Sequence, residues 1–586
     1  DRSGFLLENA NADPLPSLGI NEVKVCVEHT SVNPNKAAHI GHVRNSVLGD
    51  TFARILTATG KRVEVQNYID NTGVQVADVV VGFIYLREMD LEAIKELDAS
   101  LDAEAKFAEH PYTFDYYCWD LYTEIGQQYA TNEELKTRRT EVLHLIEEGN
   151  NSTAELADYV ATRNVECITE TMERLGIEYD LLPRESEILH LHFWDKAFET
   201  MKLLGVIHFV DEGKQKGCWV MPFEEHEGTD EHEGDKILVR SNGTVTYTGK
   251  DIAYQMWKLG ILGLDFHYRP FYKYADGKEA WMTTSDVSDE GSLIAGEGTC
   301  VSAFGGGETI YNVIDTRQSY PQEVVRKGVA AISPERGERA SVHLAYEMVA
   351  LSPAAAEELG FKLTDEDRGR PFIEMSGRKG LGVKADDLID RLEANALVEV
   401  ESRHPDAPVE EKQLIAHQIA VGALRYFLSK FTRNTVIVFD FKEALSFDGE
   451  TGLFCQYSAV RANSIFRKLA ESDSVDASVR KLLTCDRAAL RDILSGEVGT
   501  DIWSLITLAS RLEEAVNSAA NANEPAILAK YTFNLAKAFN SFYRDHKIIS
   551  EPDELRRSVL IVVADVARTS LTAALATLGI DVPERM

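Results

Sequence analysis

The sequence predicts an α/β protein: a doubly wound fold on a parallel sheet, with helical and hairpin insertions, followed by an all-helical C-terminal region. Three observations carry this. Residues 23–65 read strand, turn, helix, strand; residues 85–248 read helical and then strand-rich; from about residue 410 to the end, apolar residues recur three and four apart.

Val23, Val25 and Val27 alternate with polar residues, the period of a strand, while Val47, Leu48, Phe52, Ile55 and Leu56 share one helical face. Gly60 stands where that helix would stop, and Val63-Glu64-Val65 begins a second extended run, completing a βαβ unit. Residues 85–180 are acidic and helical in pattern, and the period shortens to that of strands over 205–248. Ile237–Arg240, Asn242-Gly243 and Val245–Tyr247 predict a tight hairpin with a type I′ turn. Residues 265–310 are Gly-rich and expected to be irregular. Division at 1–84, 85–245, 246–409 and 410–586 follows: first half of the sheet domain, insertion, second half, helical domain.

The 586 residues are 44% hydrophobic and 27% charged, an ordinary globular composition. The most apolar stretch, Val559–Ile580, is interrupted by Asp565 and Arg568 and reads as a buried helix, not a membrane span. A start at Asp1, without Met or a signal peptide, suggests a trimmed N-terminus. Seven scattered cysteines without a C-x-x-C pair argue against zinc and against a disulfide framework, and fit a reducing cytoplasm. A net charge of −34 argues against nucleic-acid binding unless a local basic patch is hidden in it.

Directly after the first strand comes Asn33-Pro34-Asn35-Lys36-Ala37-Ala38-His39-Ile40-Gly41-His42. At a strand-to-helix turn, free helix N–H groups, a positive dipole end and two histidine donors suit a triphosphate, with Gly41 allowing close approach. No G-x-x-x-x-G-K-[ST] occurs, which excludes a P-loop. His39-Ile40-Gly41-His42 resembles the HIGH signature of class I aminoacyl-tRNA synthetases, and Val32–His42 resembles the arginyl version. The resemblance implies a Rossmann-type catalytic domain and a helical anticodon-binding domain, with ATP, Mg²⁺ accompanying it, arginine and tRNA(Arg) as partners.

The second class signature, Lys-Met-Ser-Lys-Ser, is resembled by Glu374-Met375-Ser376-Gly377-Arg378-Lys379-Gly380. Glu374 replaces the first lysine and would repel phosphate. The resemblance implies that Met375 and Ser376 meet ATP, that Arg378 assists, and that Lys36, just before HIGH, compensates for the missing lysine. A guanidinium calls for planar carboxylate acceptors. By resemblance these needs fall to Glu28, Asn33, Tyr247, Asp251 and Gln318, the last within Val313–Gln318. Many family members have a histidine three residues after that Gln; here Pro321 stands there. Each residue also has a plain structural reading: Asp251 as a helix cap, Tyr247 as a half-buried strand residue, Glu28 as the partner of a neighbouring lysine. The acidic run Glu224–Asp235 reads as a solvated loop, and Gly305–Gly307 as a loop that could equally lie near adenosine.

Within 421–470, seven Lys/Arg (425, 430, 433, 442, 461, 467, 468) face four Asp/Glu, interleaved with aromatics, a mixture suited to splayed RNA bases. Gly422–Tyr426, Gln456–Arg461, Ala538–Tyr543 and the tail to Met586 resemble the arginyl anticodon-binding domain. The resemblance places Gln456, Tyr457, Arg461, Asn540, Tyr543 and Met586 near the anticodon, and implies that tRNA is needed for the first chemical step. The family's N-terminal tRNA-elbow domain does not fit into the residues before Glu28. A monomer without a metal site or membrane contact is expected. Two rivals remain: a class I synthetase for another amino acid, and a non-catalytic tRNA-binding relative, suggested by Glu374.

Overall fold

The computed structural model describes residues 2–10, 12–15, 21–106, 111–222, 236–285, 293–294, 304–374, 382–469 and 473–586. Strand β1 (Asn21–Glu28) leads through a turn into helix α1 (Ile40–Ala58) and back to β2 (Lys61–Gln66), parallel to β1 with Val25 beside Val63. Six more strands complete the main sheet: β3 (Leu181–Leu182), β4 (His267–Lys273), β5 (Glu279–Thr284), β6 (Leu293–Ile294), β7 (Thr309–Asp315) and β8 (Ser341–Tyr346). Their order is β8-β7-β1-β2-β3-β5-β4-β6, antiparallel only at the β5/β4 and β4/β6 pairs. From β1 the chain proceeds outward to β2 on one side, and from β7 to β8 on the other. The β1/β7 boundary is therefore a topological switch point, where a crevice opens beyond the strands' carboxyl ends.

Between β2 and β3 the described residues form five α-helices, Val74–Val81, Leu91–Ala105, Phe114–Gln128, Glu133–Glu148 and Ser152–Arg174, with a core of their own around Val79, Phe83, Phe114 and Val160. A small antiparallel sheet (His208–Phe209, Trp219–Met221, Lys236–Val239) follows. The expected hairpin after it is only partly formed. Val245 makes a single bridge to Val239, and helix α2 (Tyr247–Lys258) begins where the second strand was expected. Residues 265–310 also differ from expectation: β4 and β5 form a hairpin turning at Asp276-Gly277, a turn pair whose flanking Tyr274 and Lys278 are hydrogen-bonded.

The C-terminal half comprises α3 (Ala385–Arg403), α4 (Val409–Ser429), α5 (Gly452–Lys468), four shorter helices over 475–522, α6 (Ala526–Asp545) and α7 (Glu554–Thr577). By length and composition α7 could cross a membrane, but here Val559–Ala564 are fully buried inside this bundle. These helices share one core with the sheet. Val25, Val27 and Phe52 belong to the same apolar cluster as Leu512, Phe539, Val562 and Leu575, and the N-terminal helix Arg2–Asn9 joins it through Leu6.

Two buried arginines lock α1 to the helical half. Arg44 donates to Leu428 O at 2.6 Å. Arg425, fully buried, pairs with Asp50 and donates to Leu578 O (3.1 Å) and Leu175 O (2.9 Å). Gly579 leaves room for this guanidinium: a Cβ there would run into it. The Asp50 carboxyl is pushed up by burial, but Arg425 and Arg54 outweigh that and hold it down to about 2. Removing one member of a buried pair strands the other's charge. Arg425→Met should therefore cost about 3–5 kcal/mol, read as a lower thermal midpoint at neutral pH. Because Asp50's folded pKa is depressed, its contribution is present above the ordinary Asp range and fades as pH falls towards 2. The gap between variant and wild type should narrow over that acid range.

Candidate active site and RNA-binding face

A cleft of about 870 Å³ opens at the switch point, lined from the β1 turn, α1, α2 and the ends of β7 and β8. At its α1 end His39 is the N-cap. Its Nδ1 accepts the Gly41 and His42 N–H groups (3.0 and 3.3 Å), while His42 Nδ1 accepts the His39 N–H (3.2 Å). The rings stack at 3.9 Å. The N–H groups of Ile40 and Val43 are bonded to Val383 O and His39 O. The first-turn donors expected to be free for phosphate are therefore all occupied. Because each Nδ1 accepts, each ring carries its proton on Nε2, and the two Nε2–H groups, rather than the backbone, offer donors to an anion. Burial, aided by Lys36, holds His39 down to about 3 and His42 well below its ordinary value, so both rings stay neutral. Gly41 serves this arrangement: a Cβ there would stand 2.8 Å from the His39 ring.

Lys36 does not line the cleft. Its ammonium donates to Asn35 Oδ1 at 3.2 Å and lies 4.7 Å from the Tyr122 ring and 5.7 Å from Trp119, both on the helical insertion. Glu374 does line it, exposed, at the β8 side, within electrostatic reach of Arg317. Met375, Ser376 and Arg378 lie outside the described residues, as does the acidic run 224–235. Gly305 N–H is bonded to Glu64, and none of Gly305–Gly307 lines the cleft.

The other end of the cleft is acidic. Glu28 is buried and forms an ion pair with Lys258 at 2.5 Å, while Lys258 also donates to Asn312 at 2.9 Å. The plain reading of Glu28, a lysine partner, is thus part of its environment. Asp251 lies one turn inside α2 and so does not cap it. Burial, then the like charges of Glu185 and Glu28, raise its carboxyl to about 7, against the pull of Lys258 and Lys250. Asp70 is held well above the carboxyl range by burial and by donating a hydrogen bond to Glu185. Burial pushes Glu185 up too, but that bond and Lys250, 2.8 Å away, outweigh it and hold Glu185 below its ordinary value. Four carboxyl groups, Asp70 protonated and Asp251 partly so, thus meet two lysines. Tyr247, 60% exposed, and Asn33 stand where this cavity meets a smaller one containing Asp70 and Glu185. Gln318 and Pro321 line the β7 wall. Asp70, Glu185, Lys250 and Lys258 escaped the sequence reading, although Asp70 and Glu185 follow β2 and β3 at the carboxyl edge, where a ligand is expected.

Residues 14–265 match the family model for tRNA synthetases class I (R), catalytic domain, and residues 455–586 match the DALR anticodon binding domain. The arginine–tRNA ligase of Thermus thermophilus is 36% identical, aligned over 96% of this chain and 82% of that protein. The one from Pyrococcus abyssi is 34% identical over 96% and 81%. The chain belongs to the arginyl-tRNA synthetase family. The solved Thermus thermophilus arginyl-tRNA synthetase superposes with a TM-score of 0.78 at 30% identity, covering 100% of this chain and 86% of that one. The Plasmodium falciparum enzyme, at 14% identity and a TM-score of 0.63, shares the fold.

In this synthetase the residues expected at the anticodon divide into two groups. Arg461 lies over the rings of Tyr457 (4.7 Å) and Tyr543 (5.4 Å) and donates to Asn540 Oδ1 at 2.8 Å, so four of the six form one surface cluster. Met586 packs near it on an apolar cluster with Phe447 and Val400. Gln456 is different: it is fully buried, its amide donating to Gln418 O and Asp581 O at 2.8 Å each, and it offers nothing to RNA. The basic window shrinks likewise. Arg425 is interior, Arg433 donates to Ala345 O, Lys430 pairs with Glu443, and Tyr426 is buried.

The carboxyl at Asp251 sets a pH dependence. With its folded pKa raised to about 7, a guanidinium that bound against it at lower pH would have to displace a proton. The KM for arginine should rise by up to about tenfold for each pH unit below that value, and steady-state kinetics with Asp251→Asn should show a higher KM without this slope.

Proposed function

We propose that the cleft forms arginyl-adenylate from arginine and ATP and passes the arginyl group to the terminal adenosine of tRNA(Arg). The observation that carries this is the pairing of a carboxyl-rich pocket, where Glu28, Asp251, Asp70 and Glu185 stand against Lys258 and Lys250, with a neutral histidine pair at a helix N-terminus, across one cleft. The guanidinium enters among Asp251, Glu28 and Tyr247, with Asn33 and Gln318 at its sides, and relieves the like-charge repulsion that raises Asp251. The arginine carboxylate attacks the α-phosphorus of ATP, forming the acyl phosphate bond and breaking the bond to pyrophosphate. His39 and His42 donate from Nε2 to the phosphate oxygens on which charge grows. Mg²⁺ carried with ATP would neutralise part of that charge. The 2′-hydroxyl of the tRNA then attacks the adenylate carbonyl, and AMP leaves.

Lys36 supplies charge close enough to depress both histidines, and in this reading it leaves Tyr122 and Trp119 to meet the triphosphate. Met375, Ser376 and Arg378 complete the nucleotide side. Tyr457, Arg461, Asn540, Tyr543 and Met586 meet the anticodon loop. One chain builds both sites, so the working unit is a monomer, and the cytoplasm, where tRNA is charged, is its setting. One observation, Glu374 in the cleft wall, favours a tRNA-binding protein without catalysis.

Arginine-dependent ATP–pyrophosphate exchange separates the two. Exchange with arginine alone among amino acids, and only with tRNA(Arg) present, is the expected result. No exchange with tRNA still bound would leave the non-catalytic reading in place. His42→Ala should slow exchange by about a hundredfold, the scale of a lost transition-state donor. Lys36→Ala should slow it as well, and an unchanged rate would remove Lys36 from the mechanism.

A further inference from the structure

A second lysine flanks the turn that carries His39. Val383 O accepts the Ile40 N–H at 3.1 Å and Ala385 N–H donates to Ala38 O at 2.8 Å, so Lys384 stands directly opposite His39 in an antiparallel bridge. Those two bonds lie on either side of the pair and do not join it. This is the closer of the two antiparallel arrangements, with Cα atoms about 4.5 Å apart and both side chains leaving on the same face. Gly382 and Val383, just before Lys384, line the cleft. The stem of Lys384 therefore starts beside the His39 side chain, a short way downstream of Glu374.

Local helix chemistry does not call for a lysine there. Lys384 is the N-cap of α3, but an ammonium cannot accept the helix N–H bonds that a cap takes, and its side chain makes no capping bond. It also sets a positive charge at the positive end of the helix dipole. The carboxylates of the first turn are engaged elsewhere, Asp386 by Arg174 (2.6 Å) and Thr171 (2.7 Å), Asp387 by the Tyr116 hydroxyl (2.8 Å). The Lys384 ammonium lies 4.0 Å from the Tyr116 ring and 5.9 Å from Trp119. Lys36 lies on the next rings of the same insertion helix, Trp119 at 5.7 Å and Tyr122 at 4.7 Å. Tyr116, Trp119 and Tyr122 recur every third residue of Phe114–Gln128 and so form one ladder of rings. The two lysines that bracket the His39 turn both rest on it. A ring face attracts an ammonium without accepting its N–H bonds in line, and so leaves those donors to an anion.

We propose that Lys384 is a second phosphate lysine. When ATP binds, its ammonium leaves Tyr116 and, with Lys36, meets the pyrophosphate oxygens as the bond to the α-phosphorus breaks and its electron pair passes to the leaving oxygen. That is the task for which Glu374 has the wrong sign. The inference rests on reading the cleft as the site of adenylate formation. The long stem, rooted beside His39, supplies the reach, and the aromatic ladder keeps both charges close to the histidines until the anion arrives.

The test measures arginine-dependent ATP–pyrophosphate exchange by the full chain with tRNA(Arg), together with the KM for pyrophosphate and for arginine, tRNA affinity and thermal midpoint. The variants are Lys384→Met, Lys384→Arg, and Lys384→Met combined with Glu374→Lys. Methionine keeps an unbranched stem on the rings and removes the charge. Lys384→Met should slow exchange by about tenfold or more and raise the pyrophosphate KM several-fold, with arginine KM, tRNA affinity and midpoint like the wild type. Lys384→Arg should keep most of the rate, and Glu374→Lys should restore much of what Lys384→Met loses. Exchange at the wild-type rate by Lys384→Met overturns the proposal and leaves Lys384 a packing residue. A slow Lys384→Met with a lowered midpoint, rescued neither by arginine at 384 nor by Glu374→Lys, overturns it in favour of a structural role. Failure of the wild type to exchange while it still binds tRNA removes the adenylate-forming reading itself, and this assignment with it.

Discussion

Asp50 and Arg425 meet where water does not reach, between α1 and α4, and much of the molecule is arranged to let them do so. The guanidinium spends its remaining donors on the carbonyls of Leu175 and Leu578, tying together the end of the helical insertion, the catalytic helix and the last turn of the chain. A charge in that position is tolerable only when every partner is present, because an unpaired buried ion costs far more than the pair contributes. The helix whose N-terminus carries the two histidines is thus fixed from behind by the half of the protein that faces RNA. Arg44 adds a second bond from α1 to α4.

The two ends of the cleft use opposite electrostatics. At the α1 end, capping the helix with a histidine ring consumes the backbone donors and passes the positive end of the dipole to neutral Nε2–H groups. At the α2 end, carboxyl groups outnumber lysines and one of them, Asp251, remains partly protonated near neutral pH. An anion suits the first end and a cation the second, and a zwitterionic amino acid with a cationic tail, laid beside a triphosphate, satisfies both.

Much of this could be read from local pattern. The β1–α1–β2 unit, the helical insertion and the C-terminal helices were legible because their periods of two and 3.6 are written in consecutive residues. The β4/β5 hairpin was hidden by the glycines around it, although Asp276-Gly277 marked its turn. Tyr247 reads as a strand residue beside Val245, but the helix period of α2 wins there. Partners across the fold were not legible. Lys258 lies 230 residues from Glu28, and Arg425 lies 375 from Asp50. Arg425 and Gln456 look like RNA-facing polar residues in a basic window until the tertiary structure places both inside. His39 is expected from its sequence position to meet phosphate, but its use as a cap that occupies the first-turn N–H groups depends on ring geometry that spacing does not reveal.

The shared core has a consequence for synthesis. One face of the sheet, at Val25 and Val27, is covered in part by residues as distant as Leu571 and Leu575. At the usual ribosomal pace of roughly 5–20 residues per second, that face waits on the order of half a minute to two minutes before its cover emerges. The catalytic half cannot reach its final packing until those residues have emerged. During that interval an apolar sheet surface is open to chance association, so the nascent chain, more than the finished molecule, is where this architecture depends on chaperones.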